Sequence, residues 1–240
     1  TAPINVTSSA SPTATTTPTA TATATPWGCA VGNSALLVVG NLTLSAGDQA
    51  ILDRLTHVHG LSVTVVLDSA VTAADASGKA LVLISSSVAS TLVGIKLRDV
   101  AVPVGVNEFN LFAAMRMTDS VAGSIGSSTS QTQLSIVDAS HPLAAGFSGT
   151  RTVYSPAATL YWALPAGGAQ VVASVVGAPT HATIFAYAAN TAMLGISAPA
   201  KRLGWFLPDN AGASLGVDGY ALFDAAVSWM ICTPVPTATA

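Results

Sequence analysis

The run Ala35-Leu36-Leu37-Val38-Val39 is a short, uninterrupted apolar segment, and Gly40-Asn41 follows it directly. Its length is that of a strand buried on both faces, because a bilayer-spanning segment takes about 20 apolar residues. A potential helix N-cap comes next at Ser45. Apolar residues then recur at helical spacing, at Ile51, Leu52, Leu55 and Val58. We therefore predict a buried strand that leads into a helix.

The same alternation continues along the first half of the chain. Strand patterns recur at residues 61–67, 81–84 and 101–106, and short helical patterns lie at residues 72–77 and 90–99. Strands that alternate with helices predict right-handed crossovers and a parallel sheet covered on both faces. The expected fold class is therefore α/β with a mostly parallel sheet.

The sequence pattern changes after residue 117. Residues 123–133 are rich in Ser, Thr and Gly, and we expect a loop there. Three alternating segments predict an antiparallel extension of the sheet, at residues 133–137, 169–176 and 183–188. A last strand at residues 202–206 and a helix at residues 219–231 complete the expected domain.

The composition indicates an extracellular or assembled protein. Half of the 240 residues are hydrophobic and 8% are charged, against roughly 25% charged in an ordinary soluble domain. The formal net charge of -3 comes from scattered residues. Nucleic-acid binding is not expected, because it needs a basic stripe. The apolar runs are too short for a membrane span, and Gly40, Gly47 and Gly60 do not form a dinucleotide fingerprint, so we expect no cofactor.

Both ends of the chain are rich in Thr and Pro. We divide the chain into residues 1–26, a linker or assembly arm (the N-terminal arm), the α/β domain at 27–232, and a second linker at 233–240. Thr beside Pro is typical of O-glycosylated stalks, and N-x-Ser/Thr sequons occur twice. The candidate glycosylation sites are Asn5, Asn41, Thr13, Thr15, Thr16, Thr17 and Thr19. This favours a secreted or cell-surface glycoprotein that associates with itself through the N-terminal arm.

The two cysteines, Cys29 and Cys232, lie just inside the two Thr/Pro-rich ends. In an oxidising compartment a disulfide between them would close almost the whole domain, with a stabilisation of roughly 4 to 5 kcal/mol on the chain-entropy model. Two unrelated buried thiols are the alternative. A metal site is not expected, because four ligands at the usual spacings are missing.

Polar residues follow the predicted parallel strands, where open α/β sheets bind their ligands. We call this set the strand-end rim. It consists of Asn41, Asp68, Ser85, Ser86, Asn107 and Glu108. Asp68 and Glu108 are conceivable as a general acid/base pair, and the serines as nucleophiles, although no Gly-x-Ser-x-Gly elbow is present. Helix caps and turns account for the same residues, and that interpretation is favoured.

Five segments carry a resemblance to a known family. They are Ala35 to Gly40, Leu83-Ile84-Ser85-Ser86-Ser87-Val88, Val102-Pro103-Val104-Gly105-Val106-Asn107-Glu108, Ser140-His141-Pro142-Leu143-Ala144-Ala145-Gly146-Phe147, and Gly219-Tyr220-Ala221-Leu222-Phe223-Asp224-Ala225-Ala226-Val227-Ser228-Trp229. In this order they resemble the ThuA-like branch of the class I glutamine amidotransferase-like superfamily. The resemblance covers most of residues 35–231.

The resemblance implies a flavodoxin-like three-layer sandwich. In the amidotransferases themselves a cysteine nucleophile lies on a Gly-x-Cys-x-Gly elbow and is served by a His and a Glu. Neither Cys29 nor Cys232 lies in such an elbow, so glutaminase activity is not expected. Similar bacterial domains often occur as modules of secreted proteins associated with carbohydrates.

These observations lead to three functional hypotheses. The first is a non-catalytic extracellular module, a subunit of a surface filament or a spacer of a surface protein. The alternative is a carbohydrate-binding or accessory module of a secreted multi-domain enzyme. In that case the strand-end rim and exposed aromatics would hold sugar rings, the candidates being Trp27, Tyr161, Trp162 and Trp205. The third is a hydrolase that uses Ser or Asp at the strand ends.

Overall fold

The structure is a computed structural model that describes residues 27–29 and 32–234. Its thirteen strands follow one another in chain order. They are β1 (Trp27–Cys29), β2 (Ser34–Val39), β3 (Ser62–Leu67), β4 (Leu81–Ile84), β5 (Val104–Val106), β6 (Ile125–Gln131), β7 (Gln133–Ile136), β8 (Gly149–Thr152), β9 (Ala158–Ala163), β10 (Gln170–Val175), β11 (Ala178–Tyr187), β12 (Arg202–Gly204) and β13 (Cys232–Pro234). The α-helices are α1 (Ala46–Asp53), α2 (Ser90–Val93) and α3 (Val217–Ile231).

Five parallel strands form one half of an eleven-stranded sheet. Their order is β3-β2-β4-β5-β12, and every neighbouring pair in this half is parallel. Counted within this half, β2 is the first strand along the chain, β3 the second and β4 the third. Strand β3 lies on one side of β2, and β4 lies on the other. This is the strand order 2-1-3-4-5 of flavodoxin-like folds. The predicted α/β fold with a mostly parallel sheet is confirmed.

The sheet is covered on both faces, as in a three-layer sandwich. Alternate residues of β2 belong to different hydrophobic clusters, with Leu37 on one side and Leu36 and Val38 on the other. Helices α1 and α3 cover the first face, and α2 with several 3-10 turns covers the second. Because both faces are buried there, the central strand β4 and residues 35–39 of β2 are continuously apolar.

An antiparallel extension forms the other half of the sheet. Strand β12 pairs with β11, and β10, β7 and β8 follow in that order, while β9 links β11 to β6. The loop predicted for residues 123–133 is wrong over most of its length, because residues 125–131 form β6 and pair with β9. Strands β8 and β9 were not predicted either. Their partners are distant in sequence, so local composition did not indicate them.

Strands β1 and β13 form a separate two-stranded antiparallel sheet, and their register places Cys29 directly opposite Cys232. Strand β13 continues through residues 233 and 234, which the sequence had assigned to the C-terminal linker. The two cysteine side chains lie outside the described part of the chain, so the disulfide stays a prediction. No helix among residues 32–231 has the length and apolar character that a membrane crossing requires.

Candidate functional site

The carboxyl ends of the parallel strands meet the first turn of α1. The side chain of Ser45 caps this helix by accepting a hydrogen bond from the Asp48 backbone amide at 3.1 Å. The carboxylate of Asp48 is buried and accepts a short hydrogen bond from the Ser85 hydroxyl at the end of β4. Ser87 donates in turn to the Ser85 oxygen at 3.2 Å. A chain of hydroxyls therefore ends on one buried carboxylate.

A 3-10 helix over Asp209–Ser214 covers this end of the sheet. It approaches α1 so closely that a Cβ on Gly47 would lie 2.6 Å from the Asp209 carbonyl oxygen, and one on Gly212 would lie 2.7 Å from the Gly47 oxygen. Two glycines facing each other thus allow the contact. It brings the Asp209 carboxylate close to the Ser86 hydroxyl, which acts to lower the pKa of Asp209. Loss of hydration, followed by the nearby charge of Asp48, raises the pKa of Asp209.

Glu108 lies at the exit of β5 and is nearly fully buried. Its Oε1 atom caps the following 3-10 turn by accepting from the Asn110 backbone amide at 3.0 Å and from the Asn110 side chain at 2.6 Å. Burial raises the pKa of Glu108, and the Asp209 charge adds to that shift. Glu108 and Asp209 also contribute to the pKa of Tyr161, which burial raises to about 12. Three acidic groups therefore share one partly dehydrated region.

Two buried polar groups beside this region have no hydrogen-bond partner among the described residues. They are both amide atoms of Asn107 and the indole Nε1 of Trp205. Val106 pairs with Ile84 on one side and with Gly204 on the other, so Asn107 follows β5 between Ser85 and Trp205. Buried unpaired groups of this kind usually hold ordered water. Within the strand-end rim, Asn107 therefore has buried hydrogen-bonding groups that no described residue uses.

The structure does not bring the whole strand-end rim together. Asp68 follows the edge strand β3, and its carboxylate accepts from the Ala89 backbone amide at 2.7 Å. Strands β2 and β4 lie between β3 and β5, so Asp68 and Glu108 are separated by three strand spacings, about 14 Å. An acid/base pair of these two residues is therefore wrong. Asn41 is exposed, and its side chain accepts from the Thr43 backbone amide at 2.9 Å.

The four histidines are engaged elsewhere. His59 contacts Asp224 at 2.9 Å, His57 contacts the Asp53 carbonyl, His141 accepts from the Leu143 amide, and His181 stacks on Trp162. Consequently the serines of the strand-end rim have carboxylates, but no imidazole, within hydrogen-bond reach. In the described residues, no group of three or more His, Cys, Asp or Glu is arranged to hold a metal ion.

The aromatic side chains proposed for sugar binding fall into different environments. Trp205 is buried in the core, so its assignment as an exposed platform is wrong. Trp162 is half-buried, and its ring stacks on His181 at a centroid distance of 3.7 Å. Tyr161 is half-buried and stacks on Phe109 at 4.1 Å beside the acidic groups. The side chain of Trp27 lies outside the described residues.

Sequence reasoning did not identify Asp48, Asp209 and Tyr161 as members of one site. Neither Asp48 nor Asp209 is among the residues of the strand-end rim, and Tyr161 was considered only as a ring that could hold a sugar. They meet because α1 and the 3-10 helix pack through Gly47 and Gly212. A pair of small residues in two distant segments was the sole sequence signal, and it is too common to select this contact.

Comparison with known proteins finds the same fold at low sequence identity. A putative ThuA-like protein from Parabacteroides merdae matches with 12% identity and a TM-score of 0.52, covering 87% of this chain and 93% of the other. One from Bacteroides uniformis has 11% identity and a TM-score of 0.48, over 82% and 90%. A glutamine amidotransferase from Thermotoga maritima has 9% identity and a TM-score of 0.42, over 72% and 75%. No protein-family model and no curated protein sequence matches the chain.

At these identities the likeness concerns fold alone. The Parabacteroides merdae structure carries it, since its match extends over most of both chains. Together with the strand order, this confirms the predicted ThuA-like, flavodoxin-like fold with an antiparallel extension. Activity and ligand do not follow from that likeness.

Proposed function

We propose that this protein is a non-catalytic extracellular module, and that it serves as a subunit of a cell-surface filament assembled through its N-terminal arm. One observation carries the proposal. Three carboxylates at the strand ends, Asp48, Asp68 and Glu108, each already accept a hydrogen bond from their own domain. These groups stabilise helix starts and turns. They therefore have a structural role at the carboxyl ends of the strands, where α/β enzymes have their active sites.

The covering of this edge supports the same conclusion. The 3-10 helix over Asp209–Ser214 packs against α1 with backbone in contact at Gly47 and Gly212. Ser85 and Ser86 are buried beneath it. A substrate would have to displace this helix to reach either hydroxyl, and no imidazole is available to activate them. Low overall charge and the Thr/Pro-rich ends favour an assembled surface protein over a soluble enzyme.

Electron microscopy with light scattering on the native, glycan-bearing chain tests the filament role. The full chain and a variant that lacks residues 1–26 are compared at matched concentration, with circular dichroism as a control for folding. We expect filaments from the full chain and monomers from the truncated one. Monomers from both would reduce the N-terminal arm to a linker and overturn the proposal.

Carbohydrate binding is a second candidate, and the stack of Tyr161 on Phe109 favours it. The Tyr161 ring is half-buried and lies beside Glu108 and Asp209. Sugar sites commonly combine an aromatic surface with carboxylates, because the ring covers apolar C–H groups and the carboxylates accept from hydroxyls. Titration of intrinsic fluorescence with a panel of sugars, using Tyr161→Ala as the control, tests it. Absence of any saturable change in the unmodified chain would exclude this candidate.

Secretion leads to a covalent prediction for the two cysteines. Antiparallel partners have Cα atoms about 4.5 to 5.5 Å apart, which lies within the range that disulfides span. The register of Cys29 with Cys232 therefore suits a bond between them. Mass spectrometry of the secreted chain after alkylation without reductant should find neither cysteine modified. Two alkyl groups would mean free thiols and would count against the predicted extracellular location.

A further inference from the structure

Strand β3 forms an outer edge of the sheet, and among the described residues it pairs only with β2. The backbone amide of Ser62 donates to the Asn33 carbonyl at 2.6 Å, and that of Asp68 to the Val39 carbonyl at 2.9 Å. Alternate residues of a parallel pair face the partner strand. The backbone groups of Val63 and Val65, which lie between these alternate residues, therefore face away from the sheet.

Strand β3 has little of the usual protection against further pairing, although a charged group reaches it at Thr64, whose hydroxyl accepts from the Lys79 Nζ atom at 2.8 Å. The segment Ser62–Leu67 has no proline and no charged residue, and its register with β2 is continuous over all six residues. Natural proteins normally shield a sheet edge with a charge, a proline, a bulge or a covering element. The opposite edge, β8, has four residues and carries Arg151. Strand β6, whose single partner in the described part of the chain is β9, has an irregular register. Strand β3 is thus the least protected of the three.

The N-terminal arm contains a segment that matches this edge. Prolines at positions 3, 12, 18 and 26 divide the arm, and residues 4–11 are its longest run without proline. This run also holds the arm's two branched aliphatic residues, Ile4 and Val6. Their spacing of two would place them on the same face of a strand if the run paired as one. The 15 residues from 12 to 26 span at most about 50 Å when extended. The radius of gyration of a domain of this size is about 17 Å, so the run can reach a neighbouring copy.

We propose that β3 accepts residues 4–11 from a second copy of this chain as an added β-strand. The inference rests on the proposed filament role and names the two surfaces that would join one subunit to the next. Backbone hydrogen bonds to Val63 and Val65 supply the affinity, as in other cases of strand addition. Ile4 and Val6 cover the half-exposed valines of the edge. Each copy then has one donor and one acceptor, so growth is head to tail.

Substitutions on the edge test the acceptor. In Val65→Pro the outward amide is removed, while the hydrogen bonds from β3 to β2 use other residues. We expect this variant to remain monomeric. Val65→Thr retains the amide and the branched shape and should assemble like the unmodified chain. If the proline variant unfolds by circular dichroism, Val65→Lys replaces it, because a lysine on the edge blocks pairing without altering the backbone.

Substitutions in the N-terminal arm test the donor. The double variant Ile4→Asp, Val6→Asp places two charges in the strand and keeps the Asn5 sequon intact. We expect loss of assembly. The matched control Ala20→Asp, Ala22→Asp adds the same charge at the same spacing outside residues 4–11, and it should assemble normally.

Mixing the two defective variants gives the decisive result, read by light scattering coupled to size-exclusion chromatography. The Val65→Pro copy still has a donor, and the Ile4→Asp, Val6→Asp copy still has an acceptor. Each alone should be monomeric, and the mixture should form one-to-one dimers that grow no further. A mixture that stays monomeric overturns the pairing.

Two other outcomes separate this inference from the filament role on which it rests. If removal of residues 1–26 abolishes filaments but the Val65 variants do not, the filament role stands and β3 is not the acceptor. If the Val65 variants abolish assembly while the Ile4→Asp, Val6→Asp chain still assembles, the edges pair with each other and the donor is wrong. Monomers from the unmodified chain overturn the filament role and this inference together.

Discussion

The central strands of the parallel half, β2 and β4, and the outer strands of the antiparallel extension, β6 and β8, bury their residues in different ways. Every residue of β4 is buried, and so is every residue of β2 except the first. In β6 and β8 no residue is fully buried, and their sequences consist mainly of Gly, Ser, Thr and Gln with one arginine in β8. Layers on both faces force apolar side chains on the parallel strands, whereas an exposed antiparallel strand needs only its backbone pairing.

The difference shows that packed side chains maintain the central parallel strands, whereas backbone pairing maintains the exposed outer strands. In the parallel half, stability depends on dense packing and on satisfying every group that packing buries. In the extension, exposed side chains contribute less and tolerate more change. Matched substitutions in the two halves test this, and the largest contrast is expected between two arginines.

Arg202 begins β12 and is fully buried, while Arg151 in β8 is partly exposed. The Arg202 guanidinium donates to the carbonyl oxygens of Arg98, Val100, Val102 and Lys201 at 2.7 to 3.0 Å. Burial lowers the pKa of Arg202 to about 10, so it remains charged at neutral pH. Arg202→Met should lower the free energy of unfolding by about 3 to 5 kcal/mol, because the oxygens of Arg98, Val100 and Val102 lose their guanidinium donor, while that of Lys201 keeps the Val104 amide.

Arg151→Met is the control for the other half. Its guanidinium lies over the Phe147 ring and 4.0 Å from Asp218. A surface pair of this kind contributes about 0 to 1 kcal/mol. Urea unfolding at pH 7 should therefore separate the two variants by several kcal/mol. Losses of equal size would mean that the two halves do not differ as described.

The same difference decided how much of the fold was predictable. The strand at residues 81–84 was predicted with its observed bounds, and the one at 35–39 with a one-residue error, because continuous apolar runs reveal strands buried on both faces. Residues 125–131 were predicted as a loop, since nothing in Ile-Gly-Ser-Ser-Thr-Ser-Gln indicates a strand. Pairing with β9, more than 25 residues away, makes that segment a strand.

The candidate site was predictable to the same limited degree. Ser85 and Glu108 follow directly from the strand ends, because carboxyl ends of parallel strands share one edge. Asp209 and Tyr161 reach this edge from the distant half of the chain, through the contact of Gly47 with Gly212 and the stack on Phe109. Both contacts depend on tertiary packing, which no local pattern encodes.

Two glycines offer a second comparison of the halves. A Cβ on Gly126 in β6 would lie 2.2 Å from the ring of Trp162, whereas one on Gly105 in β5 would meet the ends of the Leu83 and Met230 side chains at 2.8 and 3.2 Å. Gly126→Ala should lower stability by about 1 to 3 kcal/mol, because an indole stacked on His181 has little room to move.

The cost of Gly105→Ala should be smaller, because the ends of flexible side chains can rotate away. In that case the substitution in the exposed strand β6 would lower stability more than the one in the buried strand β5, which is the reverse of the order expected from burial. Thermal unfolding of both variants measures it. A larger loss for Gly105→Ala would show that the parallel core is too tightly packed to adjust.

The smallest effect is expected from two carboxylates with opposite pKa shifts. Burial raises the pKa of Glu108 at the end of β5, so protonation favours the folded state, and stability falls as the pH rises through that raised value. Hydrogen bonds from Ser140, led by its hydroxyl at 2.6 Å, lower the pKa of Asp138 after β7. Its contribution is present above the ordinary pKa near 4 and is lost as the pH falls through the lowered value.

The isosteric variants should therefore change stability in opposite directions at pH 7. Glu108→Gln should raise it, because the amide can still accept from Asn110 and carries no buried charge. Asp138→Asn should lower it slightly, because a neutral oxygen accepts more weakly from Ser140. The Glu108 difference should shrink in urea titrations repeated toward pH 3, and the Asp138 difference should shrink only at the lower pH where that carboxyl group becomes protonated. A stabilising effect that persists unchanged at low pH would mean that Glu108→Gln acts through packing and not through charge.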